Sequence, residues 1–356
     1  MGCNSHARCG VLQGRDSPVA ELARGGGPND HLSAVSETII TRAPTRIDFG
    51  GGWTDVPPYS DEVGGFVCNV AISRYATVKV TRSDASDGGG GPASASTSAG
   101  DQSIALAAAR RFRLSNAHID VQSDFPAGAG LGGSSAVGVA IVSALAAANG
   151  EAIDRTALAE LSRSIEIGDL GVPGGRQDHY AAAYGGALGL RFSRDGVDVR
   201  DIPLSAQTRA ELERRCIVIY TGQSRISGET IDAVLGAYVQ RESRVLSALA
   251  GMRETAERMA DSLATGDIDA LAALVAEQWM HQRSLHPAIP TPLIDEIIER
   301  GTNAGASGAK ALGASGGGCV LLIAREGRTA EVRSAIAPLG ELLTFTVDEQ
   351  GVQRCR

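Results

Sequence analysis

The chain contains no C-x-x-C pair, no H-E-x-x-H pair and no visible internal repeat. These gaps argue against a paired-cysteine metal or redox centre and a zinc protease. It also lacks any excess of basic charge. A net charge of −8 and a pI near 5.4 make nucleic acid and anionic membrane surfaces poor partners, while leaving room for local basic sites. The longest apolar stretch, AVGVAIVSALAAA, is too short to span a bilayer and reads as a buried helix. Six cysteines, Cys3, Cys9, Cys68, Cys216, Cys319 and Cys355, follow no regular spacing, which suits a reducing cytoplasm better than a disulfide framework. The amino terminus has no charged region leading into an apolar one, and MGCNSH lacks the Ser or Thr of a myristoylation site. Secretion and lipid anchoring are therefore not expected.

What is present is 356 residues, 43% of them hydrophobic, enough for two cored domains. Residues 1–36 are rich in Gly, Ser, Arg and Asp without apolar periodicity and read as a disordered tail. Residues 83–102, SDASDGGGGPASASTSAGDQ, read as a flexible low-complexity loop. Strands are expected around 37–48 and 65–82, then a helix over 104–113 and a strand at His118. Past Pro203 the pattern gives a second unit of amphipathic helices and apolar strands. The sum is α+β rather than a regular βαβ array.

The most informative segment is PAGAGLGGSSA at 126–136, a glycine-rich turn emptying into the apolar helix. Gly128, Gly130, Gly132 and Gly133 permit positive φ and close approach to an anion, while the helix N-terminus faces the same charge. Leu131, Ser134 and Ser135 complete the candidate phosphate cradle. A P-loop would require a lysine after the last glycine, where this chain has serines. A dinucleotide fold would need an apolar strand before the turn and an acid closing a second strand about 20 residues later; neither is evident. A glycine-rich turn with no ligand, and a helix N-cap role for Ser134, remain as alternatives.

Two further segments flank this turn in sequence: RAPTRIDFGGGWTDVPPY (42–59), and GAKALGASGGGCVLLIA (308–324), which reads as a second glycine-rich turn. In this order the three resemble the motifs of the galactokinase, homoserine kinase, mevalonate kinase and phosphomevalonate kinase (GHMP) superfamily, over roughly residues 37–350. The resemblance implies an amino-terminal ATP-binding domain (37–203) with a left-handed βαβ unit, a ferredoxin-like carboxyl domain (204–356), and an active site in the cleft between them. It implies ATP and Mg²⁺ as cofactors, with Ser134 meeting phosphates and metal. Glu166 falls where the family carries its acidic metal ligand, and the neighbouring Asp169 is a rival. Asp178, in GGRQDHY, matches the family's catalytic aspartate and Arg46 the basic residue that pairs with it; a purely structural Arg–Asp pair is the alternative. Arg176 is an additional candidate phosphate contact. Asp55 falls where galactokinase-like members bind sugar hydroxyls, and Trp53 beside it could pack on a sugar face. A turn aspartate and a core aromatic are the plain readings of those two residues. The histidines form no metal set, and His179 shows no partner in the sequence.

Within the superfamily, GGRQDHYAAAYGGALGL and YTGQSR resemble D-glycero-D-manno-heptose 7-phosphate kinases, whereas RIDFGGGWTDVPPY resembles L-fucokinases. Both groups phosphorylate an anomeric hydroxyl. The implied partner is thus a small sugar or sugar phosphate, with Arg225 as the candidate for a second phosphate and a monomer or homodimer as the assembly. A sugar- or nucleotide-binding sensor without catalysis is the reading from another class. Because residues 1–36 carry no apolar periodicity, their deletion is expected to leave melting temperature and kcat unchanged.

Overall fold

The computed structural model describes residues 38–82, 91–223 and 228–355. The tail 1–36, residues 83–90 and Arg225 lie outside the described residues. Two long strands, β1 (Thr38–Gly50) and β2 (Gly65–Arg82), run antiparallel, with β-branched and aromatic residues supplying the pleated surface. Their register shifts between Pro44 and Thr45, where proline has no N–H to give the ladder. β3 (Ser94–Ser96) leads through the helix Ala99–Arg111 to β4 (Ala117–Ser123), and β3 and β4 pair in parallel, closing a βαβ unit. β4 lies against β2, as does β5 (Ala187–Ser193), which turns back into β6 (Gly196–Ile202).

A second sheet contains β7 (Cys216–Tyr220), β8 (Ala306–Ala311), β9 (Cys319–Ala324) and β10 (Glu341–Leu343) in the order β10-β7-β9-β8, all antiparallel. Helices Gly228–Val239, Ser243–Thr265, Ile268–Leu285 and Pro292–Ala304 connect β7 to β8, and Thr329–Ile336 connects β9 to β10. This is the ferredoxin-like order of the expected two-domain α+β fold. No described helix is long and apolar enough to cross a membrane.

The helix Gly133–Ala148 is buried on almost every face, with Val139, Ala140, Ile141, Val142 and Leu145 all inaccessible. It fills the space behind the first sheet. A second apolar layer joins Ile47, Phe49 and Phe66 of the first sheet to Met259, Leu271, Leu321 and Ile323 of the second unit. The two sheets are therefore held together by a shared core.

Three sequence expectations need correction. Residues 94–102, expected to be part of a flexible loop, form β3 and the start of a helix that Ser98 caps by accepting from the Asp101 N–H. The small alternating Ser and Ala side chains suit an edge strand, and low complexity concealed that pairing. The GAKALGASGGG segment is not all turn, because Ala306–Ala311 is a strand with Lys310 in its core-facing row. Finally, the chain does not stay in the second unit to residue 356: β11 (Gln353–Cys355) pairs with β1, and Arg42 donates to Gln353 Oε1 at 3.2 Å.

Deleting residues 352–356 strips β1 of this edge partner. The expected outcome is a lower melting temperature, corresponding to a loss of about 1–3 kcal/mol. Thermal unfolding checks this, and an unchanged transition would show that β11 adds nothing to the first sheet.

Candidate active site

The glycine-rich turn takes up the backbone its composition predicts. Gly128, Gly130 and Gly132 have φ of 66°, 73° and 75°, and Gly132 caps the helix from Gly133 without any side-chain hydrogen bond. The first helical N–H groups are thus left facing the cavity in front of the turn. That cavity has a volume of about 580 Å³. Its walls include the turn itself, Arg46, Trp53, Asp55, Glu166 and Asp178.

Arg46 ties the parts together from the middle of β1. Its Nε donates to Asp178 Oδ1 at 2.8 Å, a second guanidinium nitrogen lies 2.7 Å from the same oxygen, and Nη1 donates to Gly130 O. Its backbone N–H donates to Leu131 O at 3.0 Å, so strand and turn are pinned twice. The Arg46 side chain is 4% exposed and that of Asp178 26%. The carboxylate is therefore oriented by a buried cation yet reachable from the cavity. Gly132 leaves it room, since a Cβ there would stand 3.0 Å from the Asp178 carboxyl carbon.

The structure separates the two rival acids. Glu166 is buried beside the helix N-terminus, accepting from Ser134 Oγ at 2.5 Å and from Ser135 Oγ at 3.1 Å. Burial works to raise its pKa, but His179 and the two hydroxyls outweigh it and hold the carboxyl below the ordinary glutamate value. Asp169 points elsewhere, forming a two-bond pair with Arg111 at 2.8 Å on the surface. The cause is local: Ser164–Asp169 is a π-helical turn, whose wider winding swings the two acids apart. A serine hydroxyl and a carboxylate, both oxygen donors beside an anion-binding helix end, suit Mg²⁺. Among the described residues there is no group of three or more His, Cys, Asp or Glu side chains that could cage a metal by themselves.

At the other end of the cavity Asp55 is almost fully buried and accepts from the Gln177 N–H at 3.0 Å. Burial, assisted by Asp178 and Asp48 and opposed by the Gln177 N–H, raises its pKa to about 6. Trp53 is also buried and lines the cavity, with φ at 80°, a left-handed conformation unusual outside glycine. Arg176, expected at a phosphate, instead donates to Ser193 O at 3.2 Å and faces Asp61 at 3.8 Å, outside the cavity lining.

Sequence reasoning missed three contributions. Thr97, Ser98 and Asp101, from the low-complexity segment, line the same cavity as the glycine turn. Lys310, fully buried, crosses from β8 to donate to Asp48 O at 2.9 Å and to its Oδ2 at 3.2 Å, beneath the Gly50–Asp55 turn. His179 sits beside Glu166 and the two serines. Of these, only the GGRQDHY motif carried a signal, because His179 directly follows Asp178.

With this geometry in view, the matches to known proteins have a physical counterpart. Residues 102–186 match the GHMP kinases N terminal domain, and residues 259–339 match the GHMP kinases C terminal domain. The chain belongs to the GHMP kinases. Its class of activity is that of the family, ATP-dependent phosphoryl transfer to an alcohol group, and carbohydrate kinases are among its relatives. It is 25% identical over 345 residues to the D-glycero-alpha-D-manno-heptose 7-phosphate kinase of Campylobacter jejuni, covering 90% of this chain and 99% of that one. It is 29% identical over 321 residues to the bifunctional fucokinase/GDP-fucose pyrophosphorylase of Arabidopsis thaliana, covering 81% of this chain but spanning only 30% of that protein. In fold it is similar to a D-glycero-D-manno-heptose 1-phosphate kinase from Bacteroides thetaiotaomicron, with a TM-score of 0.71, 24% identity, and coverage of 89% of this chain and 99% of the other.

The raised pKa of Asp55 has a testable sign. A carboxyl whose folded pKa lies near 6, against 3.8 for the free group, favours folding when protonated. That contribution is complete below pH 3.8 and disappears as pH rises through 6, a swing of about 3 kcal/mol. Asp55→Asn keeps an acceptor for the Gln177 N–H but carries no charge. It should therefore melt above the wild type at pH 8 and level with it at pH 4. Equal melting differences at both pH values would show that Asp55 titrates as an ordinary surface acid.

Proposed function

We propose that this kinase transfers the γ-phosphoryl group of ATP to the anomeric hydroxyl of a sugar, with D-glycero-D-manno-heptose 7-phosphate as first substrate. The observation that carries the transfer reading is the placement of Asp178, held by Arg46 across from an uncapped, glycine-lined helix N-terminus. Phosphoryl transfer requires a phosphate cradle, charge neutralisation and an orienter for the attacking hydroxyl. Gly128 to Ser135 provide backbone N–H groups for the phosphates. Ser134 and Glu166 would hold Mg²⁺, which when bound would neutralise charge on the phosphates. Asp178 accepts the hydrogen bond of the acceptor hydroxyl and takes its proton as that oxygen bonds to phosphorus and the bond to ADP breaks. Arg46 fixes that carboxylate and offsets charge beside the transferring group. Asp55, ionised above pH 6, accepts hydrogen bonds from sugar hydroxyls, and Trp53 bounds the same end of the cavity.

What supports the heptose 7-phosphate assignment is the match to a kinase of that substrate along nearly its entire length. A specific observation favours a second reading, an L-fucose-like free sugar. Among the described residues that line the cavity, Arg46 is the only Arg or Lys, and it is already committed to Asp178 and Gly130 O. A second phosphate would depend on Arg225. An ADP-release screen over free and phosphorylated hexoses and heptoses, with products located by phosphorus NMR, decides between the two. Turnover of heptose 7-phosphate with a KM that rises in Arg225→Ala while kcat holds supports the first reading. Efficient turnover of free L-fucose alone transfers the assignment to the second. Absence of turnover with every aldose would leave a sugar- or nucleotide-binding sensor.

Asp178→Asn is expected to reduce kcat at least a hundredfold while nucleotide affinity stays within about twofold, because the cradle is untouched. Retention of a tenth of wild-type kcat, only ~1.4 kcal/mol of barrier, would remove Asp178 from the reaction. Glu166→Gln should raise the Mg²⁺ concentration needed for half-maximal rate, and Asp169→Asn should not. The reverse pattern would exchange their roles.

A further inference from the structure

His179 lies 1% exposed in the helix Gln177–Tyr184, one residue after Asp178, and both its ring nitrogens have polar partners. Its Nε2 lies 3.2 Å from Glu166 Oε2 and 3.3 Å from Ser135 Oγ. Its Nδ1 lies 3.0 Å from Ser162 Oγ, and Ser162 is itself 1% exposed. Ser162 can stand there because residue 138, in the middle of the helix Gly133–Ala148, is a glycine. A Cβ at that position would meet Ser162 Oγ at 2.5 Å and the serine would have to move. A glycine inside a buried helix weakens it by roughly 0.5–1 kcal/mol relative to alanine, so the gap serves the serine and not the helix.

We propose that His179 is a positioning residue for Glu166. Ser162 donates its hydroxyl proton to Nδ1, which leaves Nε2–H to donate to the Glu166 carboxylate. That assigns the neutral ring a single tautomer and turns Glu166 Oε1 toward Ser134 and the helix N-terminus. Four elements meet in this chain of contacts: the helix Gly133–Ala148 through Gly138 and Ser135, the helix Arg155–Arg163 through Ser162, the π-helical turn through Glu166, and the helix Gln177–Tyr184 through His179. Besides the two serine hydroxyls, the imidazole is the third group within hydrogen-bond reach of this carboxylate. Outer contacts of this kind typically change metal affinity by 10–100-fold when removed.

The inference rests on the assignment of Glu166 to Mg²⁺ but not on the identity of the sugar. Its decisive readout therefore uses no acceptor: binding of Mn²⁺ to the protein–ADP complex, followed by the loss of the free-ion EPR signal. In His179→Phe, which keeps a buried ring without a donor, the Mn²⁺ dissociation constant should rise at least tenfold while ADP affinity without metal stays within twofold. His179→Gln, whose amide can donate to Glu166, should recover most of the loss. Ser162→Ala and Gly138→Ala, which free or displace the far end of the ring, should each weaken Mn²⁺ by two- to fivefold. In steady-state kinetics the same variants should raise the Mg²⁺ requirement with the sugar KM unchanged. Mn²⁺ affinity equal to wild type in His179→Phe and Ser162→Ala, with only a lowered melting temperature, would reduce His179 to a core residue. Failure of Glu166→Gln itself to weaken Mn²⁺ would overturn the metal assignment beneath it. Normal Mn²⁺ behaviour with no sugar turned over would instead count against the proposed acceptor alone.

Discussion

Two glycine-rich turns, one from each half of the chain, are pressed backbone to backbone at the mouth of the cavity. A Cβ on Gly130 would stand 2.6 Å from Leu312 O, and one on Gly313 would stand 2.9 Å from Gly130 Cα. Cys319 N–H donates to Ala129 O at 2.8 Å across the same seam. The anion-binding turn therefore has its shape set from behind by the second unit. Positive φ at Gly128, Gly130, Gly132, Gly313 and Gly318 is what allows two peptide backbones to meet with no side chain between them. The direction of the first helical N–H groups depends on that contact.

Charge organises the remainder. Arg46 and Lys310 are both buried, and each is matched to one aspartate and one or more backbone carbonyls. Removing either partner of such a pair leaves an uncompensated charge in a poorly solvated place, so these links are far more consequential than the exposed ion pairs on the helices. Their arrangement also divides labour. Lys310 joins β8 to Asp48, just ahead of the turn that carries Trp53 and Asp55, while Arg46 joins β1 to the glycine turn and to Asp178. Two stretches of the cavity lining are thereby fixed by different cations, one from each sheet.

Much of this was legible in one dimension. The glycine turn, its helix, Arg46, Asp55 and Asp178 could be named because each depends on a short segment whose chemistry is local or whose motif is specific. The alternation of apolar strands and amphipathic helices past Pro203 gave a second α+β unit, and its ferredoxin-like order was implied only by the resemblance that the three motifs carry. The low-complexity segment misled, since Ser and Ala in alternation satisfy an edge strand as well as a loop. Arg176 misled differently: it adjoins Asp178 in sequence, but lies just before the helix Gln177–Tyr184 and leaves in another direction, toward Asp61 and Ser193.

By itself the sequence determined where backbone must be free, where a helix must begin, and which acids and bases were available to it. Those are properties of glycine, of capping and of periodicity, all set within a few residues. Only the tertiary structure decided which of the available groups face one another. In an α-helix residues three apart share a face, so Glu166 and Asp169 look equivalent in sequence. The π-helical turn breaks that phase, burying Glu166 against Ser134, Ser135 and His179 and leaving Asp169 to Arg111 at the surface. Long-range partners such as Lys310 with Asp48, 262 residues apart, carry no periodic signal at all, because their meeting is fixed by how two sheets pack through a common core.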